Sequence, residues 1–213
     1  KIIFTDDQLL ILNKPAGWLV HPSGRRQSTS TPSVTEWLIV HYPFLATVGP
    51  PERLATGEEI GRAGLLHRLD RETSGVLAVA RTAAAFAWFT KSFRDRRVEK
   101  VYQAIVIGVV KSDEGMVDLP IGRSRRDPRR RVASKKAYGD LRSARTHFCV
   151  LERFARHTYL ELKPETGRTH QLRAHLKAIQ TPILGDKLYA PKADEVPTMS
   201  RTALHAFSLA LPL

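Results

Sequence analysis

Gly64-Leu65-Leu66-His67-Arg68-Leu69-Asp70-Arg71-Glu72-Thr73-Ser74-Gly75 leads without a break into Val76-Leu77-Ala78-Val79-Ala80. The second half is apolar on both faces, which predicts a strand covered on two sides and lying deep in a sheet. The first half places an aspartate two residues behind an arginine, at the entrance to that strand. On an extended backbone Arg68 and Asp70 share one face, so the guanidinium favours the ionised carboxylate. Such a carboxylate can act as nucleophile or base. The same spacing also fits a structural ion pair, and residue spacing alone leaves both readings open. A glycosidase would need a second carboxylate, for which Glu72 is the candidate, and it sits poorly with so basic a chain.

Working outward, Leu9 to Leu12 form a short apolar run closed by Lys14-Pro15-Ala16-Gly17, a strand entering a tight turn. Residues 22–35, rich in Ser, Thr, Pro and Gly, are expected as a surface loop, and 43–64 as irregular. Between Thr82 and Glu99 the apolar residues Ala83, Phe86, Phe89 and Phe93 recur at helical spacing, with Thr82 as N-cap. Strands are expected at 101–110, 147–151 and 158–162. A helix is expected from Thr169 to Gln180, stopped by Pro182, with His170, Arg173 and Lys177 on its polar flank. No composition shift marks a linker, so residues 1–213 are expected to form a single mixed α+β domain.

The charge points to a partner. Among 213 residues, 34 Lys and Arg against 21 Asp and Glu leave +13, which favours a polyanion. Residues 123–136 hold eight basic side chains and one acidic, +7, in what should be an exposed loop. Its Arg125, Arg126, Arg129, Arg130 and Arg131 are candidates for phosphate contact by counterion release, and a merely solvated loop is the alternative. In Thr166-Gly167-Arg168-Thr169-His170-Gln171-Leu172-Arg173 a turn enters a helix, where free N–H groups with Arg168 and Arg173 suit an anion, and a plain capped helix is equally compatible. His170 and His175 are five apart and do not share a helix face, so no metal site is expected. The single cysteine, Cys149, lies in a strand pattern, reads as buried filler, and suits a reducing, cytoplasmic setting. No run reaches the ~18 apolar residues of a membrane span, and no membrane partner is expected.

Taken in order, these segments closely resemble the RluA-type family of RNA pseudouridine synthases. The matching stretches are Asn13 to Gly17 with His21-Pro22, Gly64 to Gly75, Lys100-Val101-Tyr102-Gln103-Ala104, Thr166 to Arg173, Pro182 to Asp186, and Leu204-His205-Ala206. The resemblance implies an isomerase that converts uridine in ribosomal or transfer RNA to pseudouridine with neither cofactor nor metal. It implies the pseudouridine-synthase fold: a mixed, mostly antiparallel sheet flanked by helices and loops, with an RNA cleft across it. It makes Asp70 the catalytic aspartate, Tyr102 the tyrosine that packs on the target base, and Arg173 the basic residue that pairs with the aspartate. Lys14, His67, Arg68, Arg168, Thr169 and His170 join the basic segment as RNA-binding residues. The chain shows no S4-type domain and so resembles the short members, and a monomer is expected.

Overall fold

Asp6 opens the fold by accepting hydrogen bonds from the N–H groups of Gln8 and Leu9 at 2.8 and 2.7 Å. This turn joins β1 (Ile2–Thr5) to β2 (Leu9–Lys14) as an antiparallel hairpin. The computed structural model describes residues 1–22, 33–53, 57, 59–190, 199 and 201–212. Most of the surface loop expected at 22–35 therefore lies outside the described residues. Its last residues are not loop: Ser33 caps α1 (Val34–His41), accepting from the Glu36 N–H while Glu36 accepts from the Ser33 N–H. That reciprocal cap is the Ser-x-x-Glu pattern ahead of an apolar run, and it buries Val34 and Thr35.

The chain divides into two compact units, Lys1–Val98 with Ala210–Leu213, and Glu99–Leu209. In the first, a 3-10 turn (Pro43–Thr47) and two short strands, β3 (Glu52–Arg53) and β4 (Glu59–Ile60), lead to β5 (Ser74–Ala80). As its apolar pattern predicts, β5 is buried over almost its whole length and pairs antiparallel with β2. Gly64 to Leu66 run along β5 as well, with Ala80 N–H donating to the Gly64 carbonyl and Leu66 N–H to that of Ala78. Gly64 has φ +70°, and a Cβ there would stand 2.0 Å from the Ala80 carbonyl oxygen, so only glycine allows this approach. Next comes α2 (Ala83–Arg94), capped by Thr82 through the Ala85 N–H, with Phe86 and Phe89 buried at roughly 1.5–3 kcal/mol each.

The second unit holds β6 (Glu99–Ile107), β7 (Glu114–Asp118), β8 (Ile121–Arg123), β9 (Arg131–Ala133), β10 (Tyr138–Arg142), β11 (Arg145–Arg153), β12 (His157–Pro164), α3 (Gln171–Ala178) and β13 (Leu204–Ala210). Antiparallel pairing runs β6-β12-β11-β7, with β13 beside β6. A separate three-stranded sheet is ordered β10-β8-β9. Leu172 and Leu176 of α3 enter the core that Val106, Leu160 and Leu162 form, while Ala174 enters the smaller core of Ile121, Ala133 and Tyr189. One helix thus ties the large sheet to the small one. The fold is α+β and mostly antiparallel, as expected.

Two expectations fail in this unit. Cys149 is exposed, not buried, because β11 alternates and turns Cys149 to the face where Glu161 and Glu114 stand opposite it. The stretch at 123–136 is a hairpin and not an open loop, since Arg123 pairs with Arg131 in the β8-β9 ladder. Among the described residues, no helix is long and apolar enough to cross a bilayer.

Candidate functional site

In the first unit, Asp70 is the first residue of a tight turn whose carbonyl accepts from the Thr73 N–H at 3.1 Å, just before β5 begins. Aspartate is favoured at that position. The turn is braced from behind. Arg71 offers its carbonyl to the Gly17 N–H at 2.8 Å and its Nε–H to the Gly17 carbonyl at 3.1 Å. Lys14 adds a third link, donating from Nζ to the Arg71 carbonyl at 3.0 Å. Its other two N–H groups reach the carbonyls of Pro15 and Trp18, both at 2.9 Å. Two separate sequence motifs are thus locked together within one unit, and the locked piece carries Asp70.

Lys14 therefore departs from its expected role. It is 1% exposed, and its ammonium has no N–H left for a phosphate. Burial pushes its pKa down to about 8, while the negative charges of Glu72 and Asp70 pull it back up. It remains charged at neutral pH, a fixed cation beneath the turn. His67, also expected at the RNA, directs its Nε2 inward to accept the Ala78 N–H at 3.1 Å and stacks on Phe93 at 5.2 Å. Arg68 next to it is exposed.

In the second unit, Tyr102 lies on β6 opposite Leu162 of β12, half-buried against the larger core. Arg173 is not on a polar flank of α3. It is 8% exposed, and its Nε–H and Nη2–H donate to the two carboxylate oxygens of Asp186 at 2.7 and 2.9 Å. The Tyr189 ring lies 4.9 Å from the guanidinium. Asp186 also accepts from the N–H groups of Leu188 and Tyr189, so one buried carboxylate is saturated with donors.

Arg168 and Thr169 precede α3, and His170 caps it in the left-handed region at φ 56° with no side-chain cap bond. Gln171, the first residue of α3, ties the preceding turn to β11. Its Oε1 accepts from the Arg168 N–H and the Thr166 hydroxyl, and its Nε2 donates to the Arg145 carbonyl and to Thr146. The Tyr189 hydroxyl accepts from the Arg131 N–H at 2.8 Å, donates to the Arg131 carbonyl at 3.1 Å, and meets His170 Nδ1 at 3.1 Å. That single hydroxyl fastens the arginine hairpin to the start of α3.

The hairpin is internally ordered. Ser124 Oγ accepts from the N–H groups of Arg126 and Asp127, and Asp127 binds the Arg129 guanidinium at 3.0 and 2.9 Å. Arg129 holds the Asp127 carboxyl down at about 2. Arg125, Arg126 and Arg129 stay exposed, while Arg130 and Arg131 are partly covered. Sequence reading missed Gln171, Asp186 and Tyr189 as organisers. Each works through partners 13 to 58 positions away, which no local pattern encodes.

The family model described as RNA pseudouridylate synthase matches residues 8–178, a span that includes Lys14, Asp70, Tyr102 and Arg173. The chain belongs to the RNA pseudouridylate synthase family. Among synthases of this family, it is 38% identical over 220 residues to the ribosomal large subunit pseudouridine synthase D of Vibrio cholerae, covering 98% of this chain and 62% of the relative. It is 37% identical over 211 residues to an RNA pseudouridine synthase of Synechocystis described as uncharacterised, covering 99% of this chain and 60% of the relative. The chain therefore spans about 60% of the length of these curated relatives. The solved structure of human RNA pseudouridylate synthase domain containing 1 superposes with a TM-score of 0.76 at 26% identity, covering 100% of this chain and 78% of that one.

Proposed function

We propose that this chain isomerises uridine in ribosomal or transfer RNA to pseudouridine, with Asp70 as the catalytic carboxylate. The observation that carries the reading is the braced turn. A carboxylate meant only for solvent needs no buried lysine and no second motif locked beneath it. In the reaction the N1–C1′ bond breaks, the base turns, C5 bonds to C1′, and the C5 proton leaves while N1 gains one. Atoms and electrons balance, so the isomerisation calls for no oxidant or reductant.

The uridine has to leave its stack before C1′ and both ring edges can be reached. Tyr102 is assigned to packing on the target base and Arg173 to pairing with the catalytic aspartate, roles that the family resemblance supports. Asp186 then acts as a positioning residue, because its bidentate grip fixes the plane of the Arg173 guanidinium. Arg68, Arg168, Thr169 and the exposed arginines of the hairpin are assigned to the RNA. We place the reaction in the cytoplasm, on a monomer in which both units serve one catalytic domain.

The test is to incubate ribosomal and transfer RNA transcripts with the protein, digest them to nucleosides and separate the products. Pseudouridine accumulating in one class supports the proposal and names the substrate. Binding of RNA with no pseudouridine from either class would replace it with a non-catalytic RNA-binding factor.

A further inference from the structure

The second unit contains a cavity of about 480 Å³ that no step of the proposed reaction uses, lined by Arg123, Arg131, Tyr138, Arg142, Arg168 and Thr169 among others. Neither Tyr102 nor Arg173 lines it. We infer that it is an accessory RNA subsite that takes one unpaired nucleotide, phosphate on the arginines and base against Tyr138. The inference rests on the RNA-modifying reading above and adds to it where a second nucleotide is held.

The cavity arises from the way β10 crosses β8. Tyr138 pairs with Arg123 and Arg142 with Ile121, but the register shifts between the two pairs, so β10 bulges and twists away. Leu141 folds over Gly122, where a Cβ would come within 2.8 Å of its Cδ2. On the far side, Gly139 and Gly167 present bare backbone, and a Cβ on either would meet nothing within 4 Å. The walls are therefore main chain and long basic side chains, open enough for a ligand to enter.

Charge selects the ligand. Four arginines against the single carboxylate of Asp140 leave the lining at +3. Among the described residues the Arg123 and Arg142 guanidiniums have no hydrogen-bond or ion-pair partner, and that of Arg168 spends only its Nε–H, on the Ser143 carbonyl at 3.2 Å. Unpaired guanidiniums facing one space call for a phosphate. The aromatic wall narrows the choice further. Tyr138 is 54% exposed, and the Arg125 guanidinium lies over its ring at 5.3 Å. An arginine-backed aromatic ring is the surface on which an unpaired base stacks, whereas a base inside a helix has no face to offer. The volume falls within the ~300–1,000 Å³ range of sites for small organic ligands.

The test uses a ribosomal RNA fragment that carries 2-aminopurine at successive positions, titrated with the protein and with Tyr138→Leu and Arg142→Gln. Both side chains are exposed, and near-UV circular dichroism checks that the fold is kept. The native protein is expected to change the fluorescence strongly at one unpaired position. Tyr138→Leu should abolish that change and weaken binding about tenfold, within the range of one lost stack. Arg142→Gln should lower the slope of log affinity against log salt by about 1. Affinities within twofold of native for both variants, with the fluorescence response intact, would overturn the inference. Absence of pseudouridine with these effects intact would remove the catalytic reading and leave the subsite standing. Pseudouridine formation with no effect of either variant would do the reverse.

Discussion

Lys14 in the first unit is 1% exposed and spends its three N–H groups on main-chain carbonyls, whereas Arg126 in the second stands in solvent on a hairpin. Both regions were drawn from the same excess of positive charge. Where the cation is buried it acts as a bracket, fixing the turn that carries Asp70. Where it is exposed it remains available to a polyanion. Arg173 sides with Lys14, since Asp186 holds it inside the second unit. Burial and partners, more than charge count, separate the cations that brace the fold from those left open to a polyanion.

The sharpest way to break this distinction is to remove a bracket. Asp186→Ala removes the carboxylate that grips the buried Arg173 guanidinium at 2.7 and 2.9 Å and is expected to cost about 3–5 kcal/mol in urea unfolding. Replacing both partners by apolar residues, as in Arg173→Met with Asp186→Leu, should recover only part of that loss, because the N–H groups of Leu188 and Tyr189 still lack their acceptor. A cost below about 1 kcal/mol for Asp186→Ala would show that the pair is not the bracket described here.

Lys14→Met comes next. It strips the donor from three carbonyls and is expected to cost about 3 kcal/mol, with a matching loss of order at Gly17 and Arg71 in amide exchange. RNA affinity of the folded fraction should change little, because this ammonium meets no phosphate. A changed salt slope would return Lys14 to the RNA-contacting set.

The exposed arginines should behave in the opposite way. Arg126→Ala is expected to leave stability within about 0.5 kcal/mol and to lower the salt slope of RNA binding by about 1. An unchanged slope would reduce the hairpin to a solvated surface.

The smallest effect is the pH response of the second unit. His175 is buried, with Nδ1 on the Thr146 hydroxyl and Nε2 on the Leu119 carbonyl, and burial lowers its pKa below the ordinary 6.5. The unfolded chain then takes up the proton first, so the neutral ring's contribution is complete above about pH 6.5 and is lost as pH falls below it. The urea midpoint should drop between pH 7.5 and 5, and His175→Gln should flatten that drop. An equal drop in the variant would assign it to other groups.

Much of this was legible because the deciding patterns are local. The two-faced apolar run gave β5, the spacing of Phe86 and Phe89 with Thr82 gave α2, and ordered motifs gave the family. Legibility ended where side chains act over long separations. Helical period places Arg173 on a face but does not reveal the Asp186 that buries it there. The burial of Lys14 rests in part on a carbonyl of a turn 57 residues away, which no local pattern encodes. At Ser33 the Ser-x-x-Glu pattern is local, but the Pro, Ser and Thr residues before it give the stretch the composition of a loop.

The central claim is that Asp70 does chemistry while exposed basic residues hold the RNA. The most direct test is tritium release from C5-labelled RNA by the native protein and by Asp70→Asn, with RNA affinity measured on the same samples. The account predicts native-like affinity and salt slope in the variant, with release slowed by about 10⁴-fold or more, the scale on which removing a reacting group acts. Release by Asp70→Asn at the native rate would contradict it.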